Sequence, residues 1–262
     1  MARAIWKGVI RFGSVDVPVR LYSAVEDRAV HFRLLHGKDG MPVEQHMVNP
    51  VTDEVVSKER IRKGFAVDAG VFVMLEDSEL SEIEPEPSRD IEILRFVKPA
   101  VISHQWYERP YYLGPDGENG AYFALARALG HKKLEGVARW TMRKRTYHGA
   151  LCARGNHLLL ITIRHAEEIV LADALEPPEG RKPDQREVTM ARQLISALEG
   201  RFDPSEFRDE YRDKLMELIE AKARGEKIPV RAAKQKRETE RALTDVLQAS
   251  LKNARKKERA VA

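Results

Sequence analysis

The residues of this chain best suited to meeting a polyanion form the run Gly136-Val137-Ala138-Arg139-Trp140-Thr141-Met142-Arg143-Lys144-Arg145-Thr146-Tyr147-His148. Read with the two-residue period of a strand, Ala138, Trp140 and Met142 point to one face, while Arg139, Thr141, Arg143 and Arg145 point to the other. One face is then core and the opposite one a basic ribbon. His131-Lys132-Lys133 lies just upstream, so residues 131–145 hold six Lys/Arg against the single acid Glu135. Arginines at alternate strand positions advance ~6 to 7 Å per step. A duplex presents one phosphate charge per ~1.7 Å of axis, so such a row can follow a nucleic-acid backbone. The same residues also suit a solvated strand edge whose charges prevent aggregation. The run by itself leaves both readings open.

Motifs of covalent, nucleotide or metal chemistry are missing. There is no Gly-x-x-x-x-Gly-Lys-Ser/Thr, no Gly-x-Gly-x-x-Gly, no His-Glu-x-x-His and no Gly-x-Ser-x-Gly. One cysteine, Cys152, excludes an intrachain disulfide and every multi-cysteine zinc site. His31 and His36 would point to opposite faces of a strand and read as core or surface histidines rather than ligands. Seven acids from Glu76 to Asp90, broken by Pro85 and Pro87, lack the pattern of a calcium loop and read as a solvated helix followed by a loop. No catalytic residue, metal or cofactor is assigned, although Ser, His and Asp residues converging in space would escape such a scan. Zinc fingers, basic zippers and stacking RNP aromatics are also missing, so phosphate contact would bind duplex irrespective of sequence.

The 262 residues carry 45 Lys/Arg and 41 Asp/Glu, a net charge of +4 that hides an uneven distribution. From Ala223 to Ala262 there are 12 Lys/Arg against 5 Asp/Glu, leaving 33 basic and 36 acidic groups elsewhere. This pattern describes a basic tail on a nearly neutral body. A hydrophobic fraction of 43% excludes a low-complexity or collagen-like chain. No run approaches the ~18 apolar residues of a membrane span, and the N-terminus lacks a secretory apolar core. The expectation is a cytoplasmic protein without a membrane association.

Positioning the basic run falls to a strand-rich body over residues 3–170. Expected strands are Ile5 to Phe12 and Val15 to Tyr22 around Gly13-Ser14, then His31 to Leu35, Phe65 to Ala69, Val71 to Leu75, Ile91 to Val97 and Tyr111 to Leu113. A long hairpin follows, with one arm from about Gly136 to Ala153, a turn at Arg154-Gly155-Asn156 and a return from His157 to Arg164. Ala121 to Leu129 reads as one short helix stopped by Gly130. The prolines of Glu176 to Pro183 break the chain. A first helix then presents Val188, Ala191, Leu194, Ile195 and Leu198 on one face and ends at Gly200. A second is predicted to begin at Asp203-Pro204-Ser205-Glu206 and to end at Gly225. The charged stretch Arg231 to Arg241 and the narrow apolar stripe of Ala242, Leu243, Val246, Leu247 and Leu251 are expected to be mobile until they meet a partner.

Several ordered motifs resemble the bacterial Ku proteins. They are the opening Arg3-Ala4-Ile5-Trp6-Lys7-Gly8-Val9-Ile10-Arg11-Phe12-Gly13-Ser14-Val15-Asp16-Val17-Pro18-Val19-Arg20-Leu21-Tyr22, then Phe32-Arg33-Leu34-Leu35-His36, Lys63-Gly64-Phe65, Tyr111-Tyr112-Leu113-Gly114-Pro115-Asp116-Gly117 and the basic hairpin. Phe202-Asp203-Pro204, Tyr211-Arg212-Asp213-Lys214-Leu215 and Ile219-Glu220-Ala221-Lys222 continue the match. Arg11 departs from it, standing where the family commonly has a small polar residue.

The resemblance implies a β-rich α+β fold: a β-barrel core over residues 1–175 that forms a ring-shaped homodimer, a helical C-terminal region over 185–225 and a basic tail over 226–262. It implies threading onto double-stranded DNA ends without reading sequence, and recruitment of a multifunctional ATP-dependent DNA ligase for non-homologous end joining. The helical region and tail would govern ligase contact and DNA retention. DNA contact is carried onto Arg139, Arg143, Lys144 and Arg145, with Lys132, Lys133, Lys7 and Arg20 added from the body and Lys234, Lys236, Arg237, Arg255, Lys256 and Lys257 from the tail. A ~170-residue domain has a radius of gyration near 15 Å, too small to surround a duplex, so encirclement needs a second copy. An end-processing enzyme with scattered active-site residues and a protein-interaction scaffold are the competing functions.

Overall fold

A computed structural model describes residues 3–177, 179–226 and 247–250, and the chain falls into two compact units, Met1–Ala174 and Leu175–Ala262. Seven strands of the first unit close into a barrel: β1 (Trp6–Phe12), β2 (Val15–Ser23), β5 (Asp90–Val97), β6 (Tyr107–Pro115), β7 (Glu135–Met142), β8 (Arg145–Arg154) and β9 (His157–Ile163). Around the wall the order is β1-β2-β6-β9-β8-β7-β5. Every neighbouring pair is antiparallel except β1 with β5, whose parallel pairing closes the circle.

Alternation explains these strands. Val17, Val19 and Leu21 on β2 are buried while the alternating Asp16 and Pro18 are exposed. On β7 the expected core face holds, with Ala138, Trp140 and Met142 all buried and Arg139 exposed. Gly149 on β8 lets Trp140 lie flat against the wall, since a methyl there would sit 2.6 Å from the Ile161 carbonyl oxygen and 2.8 Å from the indole ring. Helix α2 (Gly120–Lys132) adds Tyr122, Leu125, Ala126 and Leu129, one face at helical spacing, to the same core. The Tyr122 hydroxyl donates to the Leu113 carbonyl at 2.5 Å and accepts from the Leu158 amide at 2.9 Å, tying the helix to β6 and β9. The expected stop at Gly130 is not used. The helix runs to Lys132, and Lys133 takes the left-handed capping conformation at φ 51°.

Between β2 and β5 the chain leaves the barrel as an arm, residues 24–89. It contains the hairpin β3 (Lys63–Asp68) and β4 (Val71–Leu75) and the short helix α1 (Asp77–Glu82). The expected strand His31 to Leu35 does not form, because its only ladder contact is an isolated bridge from Leu35 to Pro42. An apolar run without a partner strand has nowhere to place its backbone hydrogen bonds.

The basic run is reorganised as well. The expected single strand from Gly136 to Ala153 is two strands, because Arg143 and Lys144 form a two-residue turn with φ of 51° and 64°. Positive φ at both positions is the type I′ arrangement, which usually announces itself through Asn or Gly. The turn expected at Gly155-Asn156 is present, with Gly155 at φ 59°.

In the second unit α3 (Gln185–Ala197) starts at Asp184, whose carboxylate accepts from the Glu187 amide at 2.8 Å. The helix expected from Asp203 begins later. Asp203 caps only a single 3-10 turn, Pro204–Glu206, and α4 (Glu210–Ala223) starts after Asp209, which accepts from the Arg212 amide. Proline fits either kind of first turn, so the sequence signal was shared by both. Gly225 follows α4 with φ 80°.

Candidate nucleic-acid interface

The outer surface of β2, β1, β5 and β7 collects three of the candidate cations, Lys7, Arg20 and Arg139, together with Arg11. Trp6 pairs with Leu21 on the core side, so the next register pair, Lys7 and Arg20, points outward. Further along, Asp16 on β2 opposes Arg11 on β1, Arg11 aligns with Glu92 on β5, and Glu92 opposes Arg139 on β7. Cross-strand neighbours on one face lie about 5 Å apart, close enough for these charges to find one another.

They do so as ion pairs. Arg20 donates from Nε to Asp116 Oδ1 at 2.7 Å, and Lys7 Nζ sits 3.1 Å from Asp116 Oδ2. The two cations, the Arg20 hydrogen bond first, hold the Asp116 carboxyl below the usual carboxylate range, and Asp116 in turn raises Arg20. Arg11 reaches Asp90 at 2.9 Å and Asp16 at 3.3 Å, and Arg139 reaches Glu92 at 2.7 Å. Four cations on this wall thus face four carboxylates. A groove of about 760 Å³ runs along it, lined by Arg11, Arg139, Asp90, Glu92, Thr141 and Thr146 among others.

The β7–β8 hairpin corrects the expectation of one basic face. Arg145 lies opposite Met142 in the antiparallel register, and directly opposed residues share a face. It therefore stands on the other side of the sheet from Arg139, whose own partner is His148. The chain reversal at Arg143 and Lys144 resets the alternation that the sequence pattern had carried straight through. His148 is held below the usual imidazole range, first by burial and then by His165 and Arg139 nearby.

The acidic stretch Glu76 to Asp90 is not merely solvated. Glu84 meets Lys144 at 2.9 Å, Asp77 meets Lys63 at 2.9 Å and Asp90 meets Arg11. The candidate cations thereby divide in two. Lys7, Arg20, Arg139 and Lys144 are each held by a carboxylate. Among the described residues Lys132, Lys133, Arg143 and Arg145 carry no ion pair, and all four are exposed. Lys132 and Lys133 close α2, while Arg143 and Arg145 flank Lys144 in and beside the hairpin turn.

Two features were missed by sequence reasoning. The motif around Asp116 does not reveal its role as the shared partner of Lys7 and Arg20. Lys58, Arg60, Arg62 and Lys63 crowd four cations into six residues of the arm, a signal open to inspection of the sequence. The tail candidates Lys234, Lys236, Arg237, Arg255, Lys256 and Lys257 lie outside the described residues, as does most of the amphipathic run that includes Leu243 and Leu251. Among the described residues no group of three or more His, Cys, Asp or Glu is arranged to hold a metal ion, and no helix is long and apolar enough to cross a membrane.

Comparison with known proteins gives a consistent result. Residues 11–190 match the family described as the Ku70/Ku80 beta-barrel domain. The chain is 40% identical over 224 residues to "Non-homologous end joining protein Ku 2" of Geotalea uraniireducens, covering 86% of this chain and 87% of that protein. It is 38% identical over 261 residues to "Non-homologous end joining protein Ku" of Anaeromyxobacter sp. (strain K), covering 98% and 88%. The protein of the same name from Pseudomonas aeruginosa is 35% identical over 227 residues, 85% of this chain and 78% of its own length.

Proposed function

Because this chain belongs to the Ku β-barrel family, we propose that it acts in non-homologous end joining as a homodimeric ring that slides onto double-stranded DNA ends and recruits an ATP-dependent DNA ligase. It would work in the cytoplasm at the nucleoid, without a catalytic centre of its own. Phosphate contact is assigned to Lys132, Lys133, Arg139, Arg143, Lys144, Arg145, Lys7 and Arg20. The second unit and the basic tail are assigned to ligase contact and DNA retention.

The observation that carries this reading is the arm. A barrel with a complete core carries an inserted arm of 66 residues, 24–89, in which no large apolar side chain is buried and most are exposed. Exposed apolar surface on this scale marks an association surface. Pairing with a second copy would cover it and would close a loop of protein that neither copy can form alone. End selectivity follows from topology, since a closed ring can be loaded only where the duplex terminates.

The test compares linear duplex with a covalently closed circle of equal length, together with the native mass of the complex. Two copies on linear DNA and none on the circle are expected; equal binding to both rejects the ring. If six to ten phosphates are contacted, affinity should fall ~10³ to 10⁵-fold between about 50 and about 200 mM salt. Joint replacement Arg139→Glu, Arg143→Glu and Arg145→Glu should abolish binding while the barrel stays folded; retained affinity removes these residues from the interface.

A further inference from the structure

We propose that Asp116 is a positioning residue for DNA contact, a fixed counter-ion that holds Lys7 and Arg20 toward phosphate and at the same time weakens their grip. The proposal rests on the reading that Lys7 and Arg20 meet the duplex.

Lys7 and Arg20 are register partners on adjacent strands and point to the same outer face. Asp116 stands one residue past β6, and its own amide donates to the Pro18 carbonyl at 3.1 Å, so its backbone is fixed to the same wall. Each carboxylate oxygen takes a different cation: Oδ1 accepts from Arg20 at 2.7 Å and Oδ2 lies 3.1 Å from Lys7. The carboxylate is the sheltered member, at 23% exposure against 43% for Arg20 and 56% for Lys7. The cations therefore stand between Asp116 and solvent, with guanidinium and ammonium donors left over for an incoming oxyanion.

A phosphate approaching this triad meets two positive groups and, behind them, one negative group. The three charges sum to a single positive one, so the pair pulls with about half of its formal strength. Its geometry is set before contact, which lowers the entropy lost when phosphate binds. The rest of the wall also pairs its cations, Arg139 with Glu92 and Arg11 with Asp16 and Asp90, and only at Asp116 is the carboxylate clearly the sheltered member. A duplex is then met by cations fixed in place on a wall that carries little net charge. Moderate attraction of this kind lets a ring travel inward from the end where it was loaded.

The test uses the full chain and a fluorescent linear duplex titrated between about 50 and about 200 mM salt. Asp116→Asn should tighten binding roughly threefold to tenfold and steepen the slope of log affinity against log salt by about one, the value of one added phosphate contact. In a Lys7→Ala/Arg20→Ala background the same change should have no effect, which separates local counter-ion action from a general shift in net charge. Unchanged or weaker binding by Asp116→Asn, or an equal gain in the double-alanine background, overturns the proposal. Wild-type protein that ignores linear duplex overturns the functional reading and this proposal with it. Wild-type binding with an indifferent Asp116→Asn overturns this proposal alone. Should Asp116→Asn fail to fold, Asp116→Ser is measured in its place, and failure of both assigns Asp116 to the fold and overturns the counter-ion role.

Discussion

Barrel and arm are built from similar residues and end in opposite states. In the barrel Ile10, Val19, Leu21, Ile91, Leu151, Leu158 and Leu160 are shielded completely, because each faces side chains from strands across the lumen or from α2. In the arm Phe32, Phe65, Phe72 and Met74 remain 68%, 66%, 65% and 74% exposed. The hairpin β3–β4 is paired from end to end with one irregularity between Ala66 and Asp68, so strand pairing is not what it lacks. What it lacks is a second layer. A two-stranded ribbon can shield neither of its faces, and isolated hairpins are marginal in water. The contrast shows that strand-forming residues secure a strand, whereas burial depends on what lies opposite.

The largest effect that could break this contrast is at Trp140. Trp140→Ala empties the centre of the barrel and should cost about 3 to 5 kcal/mol, read from denaturant unfolding. An effect below about 1 kcal/mol would mean that the barrel core is no better packed than the arm. Next is Tyr122→Phe, which leaves the buried Leu113 carbonyl and Leu158 amide without their partner. A loss of about 1 to 3 kcal/mol is expected, measured the same way.

Acid sharpens the comparison further. Asp116 on the barrel and Asp77 in the arm are both held below the carboxylate value of 3.8, by Arg20 and Lys7 in one case and by Lys63 in the other. A depressed carboxyl contributes stability that is present above pH 3.8 and lost as the pH falls through its lower folded-state value. Asp116→Asn should therefore flatten the acid limb of barrel unfolding, whereas Asp77→Asn should leave that limb unchanged. The smallest expected change to the barrel is Phe72→Asp, within about 0.5 kcal/mol, since the side chain touches no core. If the arm pairs two copies as proposed, the same variant should shift native mass from dimer to monomer. A barrel destabilised by Phe72→Asp would show that the arm packs on its own chain.

Much of the barrel was legible in the sequence because its strands carry the two-residue period of a wall with one wet face. Val17, Val19 and Leu21 announce β2, and Ala138, Trp140 and Met142 announce β7. The break at Arg143-Lys144 was not legible: nothing in two basic residues signals positive φ, and the alternation of Arg139, Thr141, Arg143 and Arg145 continues across the turn. His31 to Leu35 misled for the opposite reason, since its composition suits a strand and only the missing partner prevents one. The closure of β1 on β5 joins residues about 80 positions apart, and single-sequence periodicity holds no information on such pairings. The ion pairs of the wall were hidden in the same way, because Lys7 and Asp116 meet only once β2 and β6 are side by side.

The arm departs from β2 and returns into β5, and both of these strands pair with β1. Its two roots therefore stand on either side of a single strand, about 10 Å apart across it and offset by about five residues along it, about 20 Å in all. A loop with both roots anchored on the wall can lengthen, shorten or change its sequence at little expense to the barrel, since each doubling of its length adds only about 0.6 kcal/mol of closure entropy. Under the proposed pairing of copies through the arm, its recognition surface can therefore be retuned while the closed wall stays untouched.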